Sequence, residues 1–273
     1  MLPVIFESGF ISIKTYWVFT VAALLISAYL AVNRLKRQRV DFLLLIKSSS
    51  SYVLIPIIVS RLTFFILNTD TYSPALDLRT LFNLFSIWDQ GLSIWGGIIG
   101  FFIILTFRLI KAKEEIWKWY DALVVPLLIG LAIINIGQFM GGFAYGSPTE
   151  LPWGISYELD NVKYTVPIHP TQIYSLIAII LILWSKKKIQ SKSEFFKKEG
   201  NTSLYFGATG SFTFFLLEFL RGDDTITILN IRLDAYLFFL LSALCTYVLF
   251  HRYKEFKHHK HESTETTGSE LPV

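Results

Sequence analysis

The chain has 273 residues, of which 53% are hydrophobic and only 17% are charged, and its mean hydropathy is +0.49. This composition excludes an ordinary water-soluble domain, in which about a quarter of the residues are charged. The formal net charge of +4 comes from basic runs that each adjoin an apolar segment. The runs therefore indicate membrane topology and contact with anionic lipid, and no nucleic-acid partner is expected.

Seven apolar segments are long enough to cross a membrane, for which a helix needs about 20 residues. We predict helices at residues 15–33, 42–67, 91–110, 120–140, 170–185, 202–219 and 235–250. The connection between the fourth and fifth helices is long enough for a small external element, and its alternating polar and apolar residues suggest a short hairpin. The sequence predicts an all-α integral membrane protein with seven transmembrane helices in one domain, residues 1–252, followed by a disordered polar tail, residues 253–273.

The basic residues predict the orientation of these helices. Most of the 25 Lys and Arg residues lie in four runs: residues 34–39, 108–118, 186–198 and the tail after His251. These runs follow the first, third, fifth and seventh predicted helices, so all four fall on one side of the membrane. Because basic loops remain cytoplasmic, we predict that the N-terminus lies outside and the C-terminus in the cytoplasm.

Polar side chains are costly inside a membrane, so their positions indicate candidate functional residues. Lys14, Tyr16 and Trp17 lie where the first predicted helix meets the outer interface, a pattern that also fits an aromatic belt. Arg61 in the second predicted helix is the most central cation. It needs a carboxylate, a carbonyl or a lipid phosphate as its partner.

The fourth predicted helix carries Asn135, Gln138 and Gly142 with the i, i+3, i+7 spacing that places them on one face. The two amides either join helices by hydrogen bonds or face a cavity. In the third predicted helix, Gly96 and Gly100 have the spacing that lets another backbone or a ligand approach closely.

Three further positions stand out in the second half of the chain. Glu218 and Arg221 have i, i+3 spacing and can pair, while the planar guanidinium fork suits a phosphate. His169 precedes the fifth predicted helix, beside Gln172, and either anchors a turn or contacts a ligand. The single cysteine, Cys245, lies within the last predicted helix, so we expect a core residue and no disulfide.

Six segments together resemble one family, the prolipoprotein diacylglyceryl transferases. They are PVIFESGFISIKTYW, WDQGLSIWGGIIG, DALVVPLLIGLAIINIGQFMGGFAYG, TELPWG, IHPTQIY and EFLRGDD, in the order and at the spacing of that family. The resemblance extends from Pro3 to about Phe250, and the pairing of TELPWG with HPTQIY is its most specific part. The topology of the family, seven spans with the N-terminus outside, agrees with the one predicted above.

The resemblance implies a reaction at the outer face of the bacterial cytoplasmic (inner) membrane. A diacylglyceryl group moves from phosphatidylglycerol to the thiol of a lipobox cysteine in a lipoprotein precursor, and glycerol phosphate leaves. The implied partners are therefore phosphatidylglycerol, or a related anionic phospholipid, and a lipoprotein precursor. No metal or cofactor is implied.

The polar positions described above and the resemblance together suggest roles for individual residues. His169, Arg221 and Tyr16 are the candidate catalytic residues, with His169 as the base and Arg221 holding the phosphate. The candidate substrate-binding residues are Arg61, Asn135, Gln138, Gly146, Gln172 and Glu218.

Departures from the family pattern leave alternatives open. Trp95 stands in place of a histidine proposed as the catalytic base, and Asn135 stands in place of an arginine. Ser175 also replaces a usual glutamate. The chain is either a transferase in which His169 is a relocated base, or a catalytically impaired paralogue that binds lipid or lipoprotein. A transporter or channel is a third possibility, although the sequence shows no internal repeat.

Overall fold

The computed structural model describes residues 3–8, 11–68 and 91–268, and these are mostly helical. The helices are α1 (Thr15–Arg37), α2 (Leu43–Lys47), α3 (Ser49–Leu67), α4 (Ile94–Ala112), α5 (Ile116–Gly141), α6 (Thr171–Lys192), α7 (Asn201–Glu218) and α8 (Leu233–Gly268). A short 3₁₀ helix spans Glu194–Lys197. Two antiparallel hairpins pair β1 (Val4–Ser8) with β2 (Ile11–Lys14), and β3 (Thr227–Ile228) with β4 (Ile231–Arg232).

All seven predicted segments contain a helix, although the second is divided at Ser48 into α2 and α3. Within the described residues, five helices are long and apolar enough to cross a membrane: α1, α3, α4, α5 and the Leu233–His258 part of α8. These lengths and compositions are those of a multi-pass membrane protein. The helices α6 and α7 are not among the five, so the predicted number of seven spans is not established by this criterion.

The last helix, α8, continues to Gly268, past residue 252 where the polar tail was predicted to begin. No glycine or proline, the strongest helix breakers, occurs between Leu233 and Thr267. An i, i+4 contact of 3.4 Å between His251 and Glu255 also lies along this extension.

The chain divides into two compact units, one formed by Met1–Arg34 with Tyr120–Val273 and the other by Leu35–Trp119. In the second unit, the glycines of α4 pack against α3. A Cβ added at Gly96 would lie 2.7 Å from the Ser60 Cα, and one at Gly100 would lie 2.9 Å from the Pro56 Cα. The close-approach interpretation of this glycine spacing is therefore confirmed.

In the first unit, polar side chains join helices through backbone groups of their neighbours. Ser27 of α1 donates to the Pro126 carbonyl of α5 over 3.0 Å, and Ser242 of α8 donates to the Ala208 carbonyl of α7 over 3.0 Å. The carboxylate of Asp121 in α5 accepts from the backbone N–H groups of Gly200 and Ser203 at the start of α7. This carboxylate takes the place of an N-cap side chain.

The long connection between α5 and α6 forms a small packed element, although it is not the continuous hairpin that we predicted. Single bridges join Ile168 to Pro148 and to Ile155. The core of the element consists of Tyr145, Tyr157, Val162 and Ile168. Asn161 donates to the carbonyls of Gly141 and Gly142, and thereby closes the C-terminal end of α5.

Candidate functional site

Gly146 lies between two other backbone segments that carry predicted site residues. Its N–H donates to the His169 carbonyl over 3.0 Å, and it also forms an antiparallel bridge with Arg221. On either side, Ser147 donates to the Leu220 carbonyl over 2.8 Å and Gly222 donates to the Tyr145 carbonyl over 2.9 Å. These bonds fix the positions of His169 and Arg221 relative to one strand-like segment.

The packing at this point leaves no room for a side chain. A Cβ added at Gly146 would overlap the His169 carbonyl oxygen and lie 2.5 Å from the His169 Cβ. A Cβ added at Gly222 would lie 2.5 Å from the Gly146 oxygen. Because two of these three obstacles are backbone atoms, a larger residue at either glycine requires the segments to move apart.

The first turn of α6 ties this arrangement to the end of α5. Thr171 donates to the Ala144 carbonyl over 2.6 Å, and Gln172 donates through Nε2 to the Phe143 carbonyl over 2.6 Å. Both side chains are 2% exposed, so their hydrogen bonds are made away from solvent. The Oε1 of Gln172 is buried without a hydrogen-bond partner among the described residues.

His169 takes part in a chain of three aromatic side chains. Its Nδ1 lies 3.2 Å from the Tyr174 hydroxyl, and the indole N–H of Trp153 donates to the same hydroxyl over 2.7 Å. Trp153 belongs to the TELPWG segment, while the other two residues belong to HPTQIY. The two segments that carry the most specific part of the resemblance therefore meet in one contact.

Arg221 is held by two carboxylates, which are shared with a second arginine. Its Nη1 lies 3.1 Å from Glu218, and its Nε and Nη2 contact the two oxygens of Asp223 over 2.9 and 2.5 Å. Arg232 contacts Glu218 over 2.6 Å and Asp223 over 3.1 Å. We call Glu218, Arg221, Asp223 and Arg232 the ion quartet; the predicted pair of Glu218 with Arg221 is part of it.

Within the ion quartet, Arg221 stays charged, and some of its N–H donors are already used in hydrogen bonds. Burial alone lowers the pKa of Arg221, but the hydrogen bond and charge of Asp223, together with the charge of Glu218, raise it above its ordinary value. An arginine has five N–H donors, of which the carboxylates use three. A phosphate at Arg221 must therefore use the two remaining N–H groups or displace Asp223.

Three other predicted residues of the first unit, Tyr16, Asn135 and Gln138, make contacts of their own outside the ion quartet. The ring of Tyr16 packs on that of Phe143 with 5.0 Å between ring centroids. Asn135 directs its Nδ2 to the Leu131 carbonyl of its own helix over 2.8 Å. Gln138 accepts a hydrogen bond from Phe143 through its backbone carbonyl over 2.9 Å. The structure therefore gives Asn135 a contact within its own helix and no contact with the ion quartet.

Arg61 and Trp95 belong to the second unit, so they are described apart from the residues above. Arg61 is only 4% exposed and donates to the Gly91 carbonyl over 2.8 Å. The predicted need for a partner is met in part by this carbonyl. Trp95 is half-buried in the first turn of α4.

Several residues of the site were missed by the sequence analysis. Trp153 and Tyr174 lie in segments that we had quoted, but nothing in their spacing shows that an indole and a phenol meet. Asp223 follows Arg221 by two residues, directly after an apolar helix. Its carboxylate could therefore have been predicted from the sequence as a partner of Arg221. Arg232 is 14 positions from Glu218, and only the hairpin of β3 and β4 brings the two together.

The arrangement can provide a rigid set of hydrogen-bond donors and one anion-binding arginine. The Tyr157 hydroxyl, in a residue that is 5% exposed, donates to the Phe139 carbonyl over 3.2 Å, and burial raises its pKa to about 12. Within the described ranges, no group of three His, Cys, Asp or Glu side chains is placed to hold a metal ion.

The described helices and this polar cluster define a multi-pass helical membrane protein with a site built where a loop meets the ends of α5, α6 and α7. Comparison with known proteins identifies the class more closely. The prolipoprotein diacylglyceryl transferase family matches residues 3–251, and the chain belongs to this family.

Individual relatives are similar over much of the chain. A phosphatidylglycerol–prolipoprotein diacylglyceryl transferase of Thermosynechococcus vestitus is 26% identical over 229 residues, which cover 80% of this chain and 81% of the relative. A relative of the same name in Prochlorococcus marinus is 28% identical over 234 residues, covering 79% and 77%. Another in Polynucleobacter necessarius is 33% identical over 158 residues, which are 56% of each chain.

Proposed function

We propose that the protein is a phosphatidylglycerol–prolipoprotein diacylglyceryl transferase of the bacterial cytoplasmic membrane. The observation that carries the proposal is the family match over residues 3–251, together with relatives of that name which align over most of the chain. The contacts around Gly146 support it, because they hold a histidine and an arginine beside one another on a rigid backbone.

The reaction makes two chemical demands. The cysteine thiol of the lipoprotein precursor attacks the glycerol carbon that bears the phosphate, so that a C–S bond forms and the C–O bond to phosphate breaks. The thiol proton is transferred to the released glycerol phosphate or to solvent. A thiol with an ordinary pKa near 8.5 needs help to become a thiolate, and the departing phosphate needs preorganised donors.

In this proposal, Arg221 supplies a donor and a positive charge to the phosphate, while His169 and Tyr16 complete the catalytic set. Gly146, Gln172 and Glu218 position those groups. Asn135, Gln138 and Arg61 are proposed to contact the lipid.

The proposed topology has seven spans, with the N-terminus outside and the C-terminus in the cytoplasm. At 1.5 Å per residue, the 22 residues of α6 extend about 33 Å and the 18 residues of α7 about 27 Å, close to the thickness of a bilayer core. The lysines at the end of α6 and the hydroxyl groups of α7 lower their hydropathy without shortening them. The basic runs after the odd-numbered predicted spans support the orientation.

The direct test is thioether formation on a lipobox peptide by the purified protein in phosphatidylglycerol vesicles. We expect turnover by the unaltered chain and a loss of at least about tenfold in both Arg221→Ala and His169→Ala, since removing one preorganised hydrogen-bond donor from developing negative charge typically costs about 10²–10³-fold. A matched control is Arg252→Ala, which changes an arginine that contacts Asn201 in the described structure. Product formation that survives both substitutions would remove the two residues from the mechanism.

A catalytically impaired paralogue that binds lipid or lipoprotein is the second candidate. It is favoured by the engagement of Arg221 with Asp223, and by the presence of Trp95 and Asn135 where the family has a histidine and an arginine. This candidate predicts that the unaltered chain binds phosphatidylglycerol vesicles but forms no thioether product in the same assay.

A further inference from the structure

Trp153, Tyr174 and His169 are linked by two hydrogen bonds, and the direction of the first one is fixed. An indole nitrogen can only donate a hydrogen bond, so the Tyr174 oxygen must accept from Trp153 over the 2.7 Å contact. The Tyr174 hydroxyl then retains its own proton and one lone pair. Its remaining contact is with the His169 Nδ1 at 3.2 Å.

The neighbouring backbone fixes the position of the Trp153 Cα, from which the indole reaches Tyr174. Trp153 is 55% exposed, so burial alone does not fix its ring. Instead, Gly154 donates to the Leu151 carbonyl over 2.9 Å and closes a turn around the tryptophan. A Cβ at Gly154 would lie 2.9 Å from the Thr149 Cγ2 and 3.0 Å from the Pro167 Cβ, so this turn is tightly packed.

We infer that Trp153 and Tyr174 are positioning residues that set the tautomer of His169, with the proton on Nε2 and with Nδ1 as an acceptor. Tyr174 donates its proton to Nδ1, because the opposite direction, from an Nδ1–H to the second lone pair, would leave the Tyr174 proton without an acceptor among the described residues. A neutral imidazole carries one proton, so accepting at Nδ1 leaves the proton on Nε2. Among the residues that the structure describes, Nε2 has no hydrogen-bond partner.

This inference changes the role of His169 in the proposed reaction, and to that extent it rests on the proposed function. A neutral histidine with a proton on Nε2 donates a hydrogen bond through that atom and cannot take a proton there. Its Nδ1 is shielded by Tyr174. His169 therefore acts as a hydrogen-bond donor to an oxygen of the anionic phospholipid, and it is not the base that removes the thiol proton.

The first experiment measures the tautomer and requires no activity. We propose nitrogen NMR of the full chain labelled with ¹⁵N-histidine, in lipid, at a pH where the ring is neutral. His169→Gln identifies the His169 signals among the five histidines. We expect a non-protonated shift for Nδ1 and a protonated shift for Nε2. A protonated Nδ1, or equal populations of both tautomers, would overturn the inference.

Variants of Tyr174 and Trp153 test whether these two residues set the tautomer of His169. Tyr174→Phe removes the donor, so the His169 shifts should move towards the average of both tautomers, and Trp153→Phe should move them in the same direction. Tyr164→Phe is the matched control, because this tyrosine packs on Tyr145 and should leave the His169 shifts unchanged. Shifts that do not respond to Tyr174→Phe would show that Tyr174 does not set the tautomer.

The second experiment tests the role in the reaction. A glutamine amide can donate from about the position of Nε2 but cannot act as a base. If His169 is a donor, His169→Gln should retain at least about ten times the kcat/KM of His169→Ala in the vesicle assay, whereas a lost base makes both variants equally poor. Equal values contradict the donor role. If the unaltered chain has no transferase activity, the proposed function fails, and the NMR result still decides the tautomer.

Discussion

At Gly146, three backbone segments approach so closely that only a hydrogen atom fits as the side chain. An added Cβ would lie 2.5 Å from the His169 Cβ and would overlap a backbone oxygen, which cannot rotate away as a flexible side chain could. In the sequence, the resemblance assigns a role to this glycine without giving the physical reason for it. The structure gives the physical reason, which is the hydrogen bond from Gly146 to the His169 carbonyl and the bridge to Arg221.

We therefore expect Gly146→Ala to lower both transferase activity and thermal stability. Forcing an extra methyl group into a packed site typically costs about 1–3 kcal/mol, and here it also separates His169 from Arg221. The control is Gly210→Ala in α7, where an added Cβ meets no atom within 4 Å. That change should stabilise the helix by about 0.5–1 kcal/mol. Thermal unfolding and thioether formation check both variants, and equal behaviour of the two would contradict the packing argument.

Asp223 is the residue that limits access to Arg221. Its two carboxylate oxygens occupy the Nε and Nη2 of the guanidinium, which are the atoms that a phosphate would use for a bidentate contact. An amide in its place can accept through only one oxygen and carries no charge, so the arginine becomes more available to an anion.

Asp223→Asn should consequently strengthen binding to phosphatidylglycerol vesicles by about threefold to tenfold, equivalent to about 0.7–1.4 kcal/mol. Vesicle flotation or fluorescence titration at fixed salt measures the change. Asp224→Asn is the matched control, because Asp224 pairs with Lys163 at the surface over 2.7 Å and is not part of the ion quartet. Unchanged or weaker binding by Asp223→Asn would show that Asp223 does not compete with the lipid.

At the scale of whole elements, α7 begins at a carboxylate that belongs to another helix. Asp121 of α5 accepts hydrogen bonds from the N–H groups of Gly200 over 2.7 Å and Ser203 over 2.6 Å. It thereby satisfies two of the N–H groups that have no acceptor within the helix at its start. The negative charge also interacts favourably with the helix dipole. Because α7 leads to Glu218 at its other end, this contact helps to fix the ion quartet.

We expect Asp121→Asn to lower the free energy of unfolding by about 1.5–3 kcal/mol, the usual range for hydrogen bonds to a charged group. Activity in vesicles should fall only at temperatures near the lowered unfolding transition, because no site residue is changed. Asp160→Asn, at an exposed position of the connection between α5 and α6, provides the control. Thermal unfolding in detergent compares the two variants, and an equal transition temperature would contradict the capping role.

The helices could be predicted from the sequence because each depends on a long local apolar pattern. The hairpin of β3 and β4 could not, since each strand has two residues and the turn places Leu229 and Asn230 at positive φ. The contact between Arg232 and Glu218 depends on that hairpin. For the same reason, the sequence identified Arg221 and His169 individually, whereas the contact of His169 with Tyr174 and Trp153 became apparent only from the structure.

At the scale of the whole molecule, and with the N-terminus outside as proposed, the side of the membrane on which α6 ends depends on whether α6 and α7 cross it. If both cross, the connection between α5 and α6 faces outside and the end of α6 faces the cytoplasm. If neither crosses, both positions lie on the same side, and in either case the C-terminus lies on the side opposite to the N-terminus. The basic run at residues 186–198 favours crossing, because six lysines would otherwise lie outside.

Single-cysteine labelling distinguishes these arrangements, since Cys245 is the one native cysteine and can be replaced by alanine. In that background, Ser156→Cys and Ser191→Cys place thiols at exposed positions before and near the end of α6. A membrane-impermeant maleimide added to intact spheroplasts should label Ser156→Cys at once, and Ser191→Cys only after permeabilisation. Labelling of both variants in intact spheroplasts would exclude the seven-span topology, because α6 would then begin and end on the same face of the membrane.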